Sequence, residues 1–578
     1  MIRLSPCLKS YSQDQDKAVE PAQTIARVRE RLAALPLAIL AETRRIDHGR
    51  LGIPVYLSIC GPDAKAVMPT RKQMGKGASP MQAEASALME LMERYGFFTF
   101  WQHLPGAVHT TWSEAEQRFG RTLMPLEEIS KACHDTLPPA ETRRIMDLRS
   151  WIFMPATRIA DGSLCHVPLD LFKQLGEFNG SSAGNTDVES LLQGACELVE
   201  RHTCCLADRD QPILPTIDSS PDKAGDPVLA ELLHKFQQNG ITLVLKDFSM
   251  DMPVPTVAAL AYDTTNFPGK SEIVFTAGTA SNPVKAAVRA ITEVAQLAGD
   301  FINASCYEAS GLPKYAALEQ ADWLRHGPLV PLSSLPSVES DDIFDELRAL
   351  AEGLHSRQFT LYAVSTTNPD TLVPSHYSFV PGFRFRERDK NTSLGLFVGR
   401  MLCEEADSPG KAAASLQVVA DIYPDAHFLP FFKGMLALRA DNRLSARRLF
   451  AQAEDIQPGS DAKALAAFYH AYVCTLDEDW SGALPGLNRA AGLCPDMKEF
   501  LNLRGVCLFK LQRYEEAAAD FKDILTRLDK GSAVDIQNLG LCHKFMGNLE
   551  QARHYLSAAL TLDPGLEKAG EHFATLLR

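Results

Sequence analysis

The sequence writes one chemical phrase twice. The first copy is Ser86-Ala-Leu-Met-Glu90-Leu-Met-Glu93-Arg94 and the second is Gln193-Gly-Ala-Cys-Glu197-Leu-Val-Glu200-Arg201. Each sets two glutamates three residues apart, then an arginine, in an otherwise apolar helical pattern. Glutamates at i and i+3 share a helix face. The flanking Leu88, Met89, Leu91, Met92, Leu198 and Val199 predict that this face turns inward rather than forming a solvated stripe. Isolated buried carboxylates are too costly to stand alone. A hard divalent cation is the simplest neutraliser, and Mg²⁺ usually arrives with a nucleotide.

Two loops precede these helices: Gly75-Lys76-Gly77-Ala-Ser79-Pro80, and Asn179-Gly180-Ser181-Ser182-Ala183-Gly184-Asn185-Thr186. Small residues would let backbone amides approach an anion beside a helix N-terminus. Neither is a Walker A loop, and no G-x-G-x-x-G sits between a strand and a helix. A third helix carries Arg289 and Glu293 at i and i+4, which by itself reads as a plain intrahelical ion pair.

The elements that must position these groups fall in two halves. In the first ~390 residues, strand patterns cover Pro54–Cys60, Ile241–Asp247, Thr256–Tyr262, Glu272–Thr276 and Phe359–Val364. Helical patterns cover Ala22–Leu35, Pro80–Phe98, Val188–Cys205 and Pro283–Ala298. The apolar run Leu32–Leu40 reads as part of a core helix, and Leu329–Glu339 as a surface loop. Two glutamate helices about a hundred residues apart suggest an internally duplicated α+β domain. The charged run Arg386–Lys390 and the turn signal Ser408-Pro-Gly bound a linker zone.

The last third is periodic. Gly434, Ala471, Gly505 and Gly540 stand 37, 34 and 35 residues apart. Each is followed twelve residues on by Ala446, Ala483, Ala517 or Ala552, and four further by Phe450, Leu487, Phe521 or Leu556. A small residue follows at Ala453, Ala490 and Ala559; the third copy has Ile524 instead. Pro458, Pro495 and Pro564 close three copies. This is the tetratricopeptide period of about 34 residues. The expected layout is a catalytic domain over 1–390, a linker and leading helix over 391–424, and four repeats over 425–578. Such stacks bind peptides or proteins, or pack on and dimerise their own catalytic domain.

Composition sets the outer limits. A chain of 578 residues has room for two to four domains, and 46% hydrophobic with 22% charged residues is ordinary for a globular protein. The net charge of −14 argues against direct nucleic-acid binding. No stretch reaches the ~18 apolar residues of a membrane span. The N-terminus has no secretory apolar region. None of the 13 cysteines forms C-x-x-C, and the adjacent Cys204 and Cys205 suit neither a disulfide nor a zinc site. Reduced core thiols in a cytoplasmic protein follow.

These motifs, in this order, resemble the YcaO family. Gly75-Lys76-Gly77 with Ser86-Ala87-x-x-Glu90-x-x-Glu93-Arg94-Tyr95 is similar to its first signature. Ser182-Ala-Gly184-Asn185-Thr186-x-x-Glu189-x3-Gln193-Gly-x-x-Glu197-x-x-Glu200-Arg201 resembles its second. Arg289-Ala-x-Thr292-Glu293-x-x-Gln296, after Gly278, resembles its third. The resemblance covers roughly residues 10–385, and with the repeats it extends to stand-alone members along most of their length. It implies a site for ATP and Mg²⁺ without a Walker motif. Glu90, Glu93, Glu197, Glu200 and Glu293 would hold metal. Lys17, Thr24, Ser86, Ser182, Asn185, Gln193, Arg201 and Arg289 would contact nucleotide.

The implied reaction is O-phosphorylation of a peptide backbone amide, leading to a thioamide or an azoline. Implied partners are a peptide or protein substrate, a TfuA-like protein or a methylthiotransferase, and a second copy in a homodimer. Two other readings are an accessory role in β-methylthiolation of ribosomal protein S12 and a non-catalytic repeat scaffold. The family often has a histidine two residues after the glycine at 278, where this chain has Ala280. The resemblance also pairs azoline formation with a proline-rich tail, whereas this sequence closes on Leu576-Leu577-Arg578.

Overall fold

The computed structural model describes residues 2–47, 50–265, 273–298, 315, 317–386, 391–405 and 408–577. The expected strand start at Glu272 and most of the charged run Arg386–Lys390 lie outside the described residues. The chain divides into two units, one over Met1–Arg143 and Arg149–Thr392, the other over Arg144–Leu148 and Ser393–Arg578.

The first unit is α+β and carries three sheets among the described residues. Each sheet ends on a strand that feeds directly into a signature helix. Strand β1 (Lys72–Lys76) closes an antiparallel sheet with Leu40–Arg45 and Val55–Cys60, and leads into α1 (Pro80–His103). Strand β2 (Ser181–Ala183) ends the sheet containing Ser375–Phe379, Tyr362–Ser365 and Trp151–Arg158, and leads into α2 (Asp187–Asp210). Strand β3 (Val274–Thr279) ends the sheet containing Thr256–Asp263 and Ile241–Asp247, and leads into α3 (Pro283–Ala298). The duplicated pair expected from sequence is thus joined by a third unit of the same design.

Each helix starts the same way. Ser79 Oγ accepts from the Gln82 N–H at 3.2 Å, Thr186 Oγ1 from Glu189 at 3.1 Å, and Asn282 Oδ1 from Lys285 at 2.9 Å. These side chains satisfy donors that have no partner within the helix. Each strand also lies almost in contact with its helix backbone. A Cβ on Gly75 would stand 2.0 Å from Ala87 N, and one on Gly278 would stand 2.4 Å from Ala290 N. In the middle unit the bare position is on the helix, where a Cβ on Gly194 would meet Ser182 Oγ at 2.7 Å. Gly75, Gly194 and Gly278 therefore serve close strand–helix packing. Gly75 itself lies within β1.

Several element boundaries differ from expectation. The helix Pro21–Ala33 stops before Pro36, so the Leu32–Leu40 run is a helix end, a turn and the start of a strand. Ser408-Pro-Gly opens a helix, Pro409–Ile422, with Ser408 Oγ accepting the Lys411 N–H at 3.3 Å. Proline at the first helical position is compatible with that start. No helix among the described residues is long and apolar enough to cross a membrane. The twelve described cysteines are free thiols.

The second unit contains four helical hairpins: 429–439 with 443–456, 460–476 with 480–493, 498–510 with 514–523, and 533–545 with 549–562. The small-to-bulky pairs meet as the period predicts. A Cβ on Gly434 would press on Phe450 at 2.9 Å, and one on Gly505 on Phe521 at 2.8 Å. In the third copy, which departs from the pattern, the fully buried Ile524 starts a π-helical turn over Ile524–Leu528.

Gly278→Val should cost about 3 kcal/mol or more, because the intruding atoms meet helix backbone rather than a side chain that can turn away. Chemical denaturation measures this; unchanged stability would contradict the close approach.

Candidate active site

The three helices stay in register when counted from Gly75, Ser182 and Gly278. Eleven residues on stand Ser86, Gln193 and Arg289. Four further come Glu90, Glu197 and Glu293, and three beyond those Glu93, Glu200 and Gln296. All nine side chains line one cavity of about 320 Å³. Steps of four and three keep them on one face of each helix. At the next position the first two helices add Arg94 and Arg201, also in the cavity wall, while the third has the buried Leu297. The third unit contributes a single carboxylate.

With Lys17, Thr24 and Asn185 also in the wall, twelve of the thirteen expected site residues line the cavity. Ser182 is the exception. It is fully buried, and its hydroxyl donates to the Ser190 carbonyl oxygen at 2.7 Å. That bond ties β2 to α2, so Ser182 supports the site without reaching it. Ala280 does not line the main cavity; it stands with Lys285 and Glu346 in a small side compartment that shares Gln15, Lys17, Glu189, Gln193 and Arg289 with it.

Four of the five glutamates lean on a protein cation or donor. Glu93 Oε1 is 3.5 Å from Arg94 Nε, and Glu197 Oε1 is 3.9 Å from Arg201 Nε. Glu293 contacts the Lys76 ammonium. Glu200 Oε2 accepts the Thr279 N–H at 2.9 Å. Among the described residues no three ligands are drawn together into a closed metal shell. Burial pushes the Glu90, Glu93 and Glu197 carboxyls up, Glu93 to about 8, against the pull of the neighbouring arginines. Burial and then the Arg289 guanidinium pull Lys76 down to about 7.

These residues fit a hard cation carrying an anionic ligand. Oxygen donors dominate, as Mg²⁺ requires. Arg94 Nη1 and Arg289 Nε are buried with no hydrogen-bond partner, and both side chains line the cavity among its carboxylates. At the far end, Thr24 Oγ1 donates to Asn185 Oδ1 at 3.0 Å, and Asn185 Nδ2 to Glu189 Oε1 at 3.0 Å. Glu189 Oε1 is also 3.7 Å from Lys17 Nζ.

Sequence reasoning passed over Lys76, Arg94, Glu189 and Gln296 as site residues, although all line the cavity. The signal was available in the common register, which places Gln296 opposite Glu93 and Glu200.

The fold brings carboxylates and guanidinium groups from three helix faces together on one cavity. The sequence family of YcaO cyclodehydratases, ATP- and Mg²⁺-binding, matches residues 74–384, and the chain belongs to it. ATP and Mg²⁺ are accordingly its cofactors, and it is an ATP-dependent enzyme. A tetratricopeptide repeat matches residues 536–566. An uncharacterised protein from the tfuA 3′ region of Rhizobium leguminosarum bv. trifolii is 27% identical over 336 residues, 54% of this chain and 74% of that one. The ribosomal protein S12 methylthiotransferase accessory factor YcaO of Escherichia coli K12 is 26% identical over 212 residues. That match spans 33% of this chain and 36% of that protein, so the whole-length resemblance expected from sequence is confined to about a third. A heterocyclase solved with substrate and cofactor shares the fold, with TM-score 0.52 and 19% identity over 66% of this chain and 54% of that one.

The raised Glu93 carboxyl gives a signed prediction. Its folded value of about 8 lies above the ordinary carboxylate value of about 4.3. The folded state therefore holds more protons across that window, and stability falls as pH rises through it. Glu93→Gln should raise the melting temperature of the metal-free protein at pH 8 by about 2–4 °C and flatten its pH dependence. A melting temperature lowered at pH 8 would mean that Glu93 is a structural partner of Arg94.

Proposed function

We propose that the protein activates a peptide backbone amide by moving the γ-phosphoryl group of ATP onto the carbonyl oxygen. A nucleophile adds to the carbonyl carbon, the carbonyl π pair shifts to oxygen, and that oxygen displaces ADP from the γ-phosphorus. The C–O bond then breaks and releases phosphate. External sulfide as nucleophile gives a thioamide, and a side-chain thiol or hydroxyl gives an azoline. The observation that carries this reading is the convergence of five carboxylates and unpaired guanidinium donors on one cavity, in a chain of the cyclodehydratase family.

In this reading Glu90, Glu93, Glu197, Glu200 and Glu293 hold Mg²⁺, which when bound neutralises phosphate charge. Arg201 and Arg289 bind phosphate oxygens, with Ser86 and Gln193 beside them. Lys17, Thr24 and Asn185 hold the opposite end of the nucleotide. Phosphoryl transfer needs positioning and charge neutralisation more than a protein nucleophile, which suits a wall without a nucleophile paired to a base. The relative from a tfuA region supports sulfide as the acceptor's partner. The repeat unit suits capture of a peptide or protein substrate.

A second reading is an accessory role in S12 β-methylthiolation, supported by the name of the Escherichia coli relative. Co-purification with ribosomal protein S12 or a methylthiotransferase would favour it.

Glu197→Ala and Glu200→Ala should each lower Mg·ATP turnover by about 100-fold or more, with melting temperatures close to wild type. Wild-type hydrolysis in both variants would sink the assignment.

A further inference from the structure

The segment ahead of the helix Pro21–Ala33 has little regular structure, yet its polar groups are held one by one. A small hairpin pairs Tyr11 with Lys17 across main-chain hydrogen bonds. Ahead of the hairpin, the Lys9 N–H donates to the Asp341 carbonyl oxygen at 3.0 Å and Lys9 Nζ to Glu346 Oε1 at 2.6 Å, and around the hairpin each of the three units fastens the segment. From the loop before α1, the Ala78 N–H donates to Asp14 Oδ2 at 3.0 Å, and Asp14 is 2% exposed. From α2, Glu189 Oε2 accepts the Ala18 N–H at 2.9 Å. From α3, Lys285 Nζ donates to the carbonyl oxygens of Ser12 at 2.7 Å and Gln13 at 2.6 Å.

Lys285 occupies the same place in the register on α3 as Glu189 does on α2, seven residues after the reference position. It is 6% exposed and lines the side compartment rather than the nucleotide cavity. A buried ammonium directed at two main-chain carbonyls is a costly device unless the segment it holds must stay in place. The held segment carries Gln15 and Lys17, which form part of the cavity wall.

We infer that residues Cys7–Glu20 form a strap closing the nucleotide end of the cavity, and that Lys285 is the positioning residue that latches it. This rests on the nucleotide reading of the cavity. Without the latch the backbone of Ser12 and Gln13 is released between its fasteners at Lys9 and Asp14, and the hairpin opens more often. Lys17 and Gln15 then leave the wall, and affinity for nucleotide falls while the carboxylate cluster stays intact.

Lys285→Met and Lys285→Arg in the full chain test this with three readings. Trypsin cleavage after Lys9 and Lys17, followed by mass spectrometry, reads the strap and needs no nucleotide. Lys285→Met should speed that cleavage about ten-fold. It should also raise KM for Mg·ATP about ten-fold while kcat changes less than about two-fold, with Lys285→Arg restoring both. Should Lys285→Met fail to fold, Asp14→Asn, which weakens the fastener at Ala78, takes its place with the same expectations. Unchanged strap cleavage would overturn the inference. So would a fall in kcat and melting temperature with KM unchanged. A wild-type chain that binds no Mg·ATP would instead strike the proposed function, and the cleavage reading would still decide the strap.

Discussion

The structure turns on the cost of gathering carboxylates where water is scarce. Glu90, Glu93, Glu197, Glu200 and Glu293 face one cavity, and two unit charges 4 Å apart at a partly buried site interact by about 4 kcal/mol. The chain offsets that cost in three ways. Burial raises the Glu90, Glu93 and Glu197 carboxyls above the usual range, arginines lie beside Glu93 and Glu197 and Lys76 beside Glu293, and Glu200 accepts a backbone N–H.

The rest of the first unit serves to aim three helices at that point. A capped helix start, a terminal strand pressed on the helix backbone and a common spacing to the cavity-facing residues recur in each unit. The close approach at Gly75, Gly194 and Gly278 leaves the helices little freedom to rotate about their axes. Rotation by one residue would turn the carboxylates from the cavity into the core. The three units are not equivalent, however. Gln296 and Leu297 leave the third face with two charges, Arg289 and Glu293, where the other two have three.

Much of this was legible in the sequence where periodicity and charge coincide. Glutamates three apart within apolar runs placed α1 and α2, and the small-to-bulky spacing placed the repeat hairpins. What stayed hidden was polar and buried. The strand Ser375–Phe379 is buried at every position, yet it carries two serines and a histidine, so no apolar run marks it. His376 Nδ1 lies 2.9 Å from Ser190 Oγ, a partner 186 residues away that no local pattern could show. Ser182 misled for the same reason, since a serine in a glycine-bearing loop looks like a ligand until its hydroxyl is seen on Ser190. The third unit was half legible because Gln296 and Leu297 break the motif that identifies the other two.

The central claim is that the carboxylate cavity is one composite site for ATP with its metal. Equilibrium titration of ATP into the full chain, with Mg²⁺ saturating and then fully chelated, tests it most directly. Binding should be at least about ten-fold weaker without the cation, because triphosphate would then meet the five glutamates with no metal between them. Equal affinity in the two titrations would contradict the account.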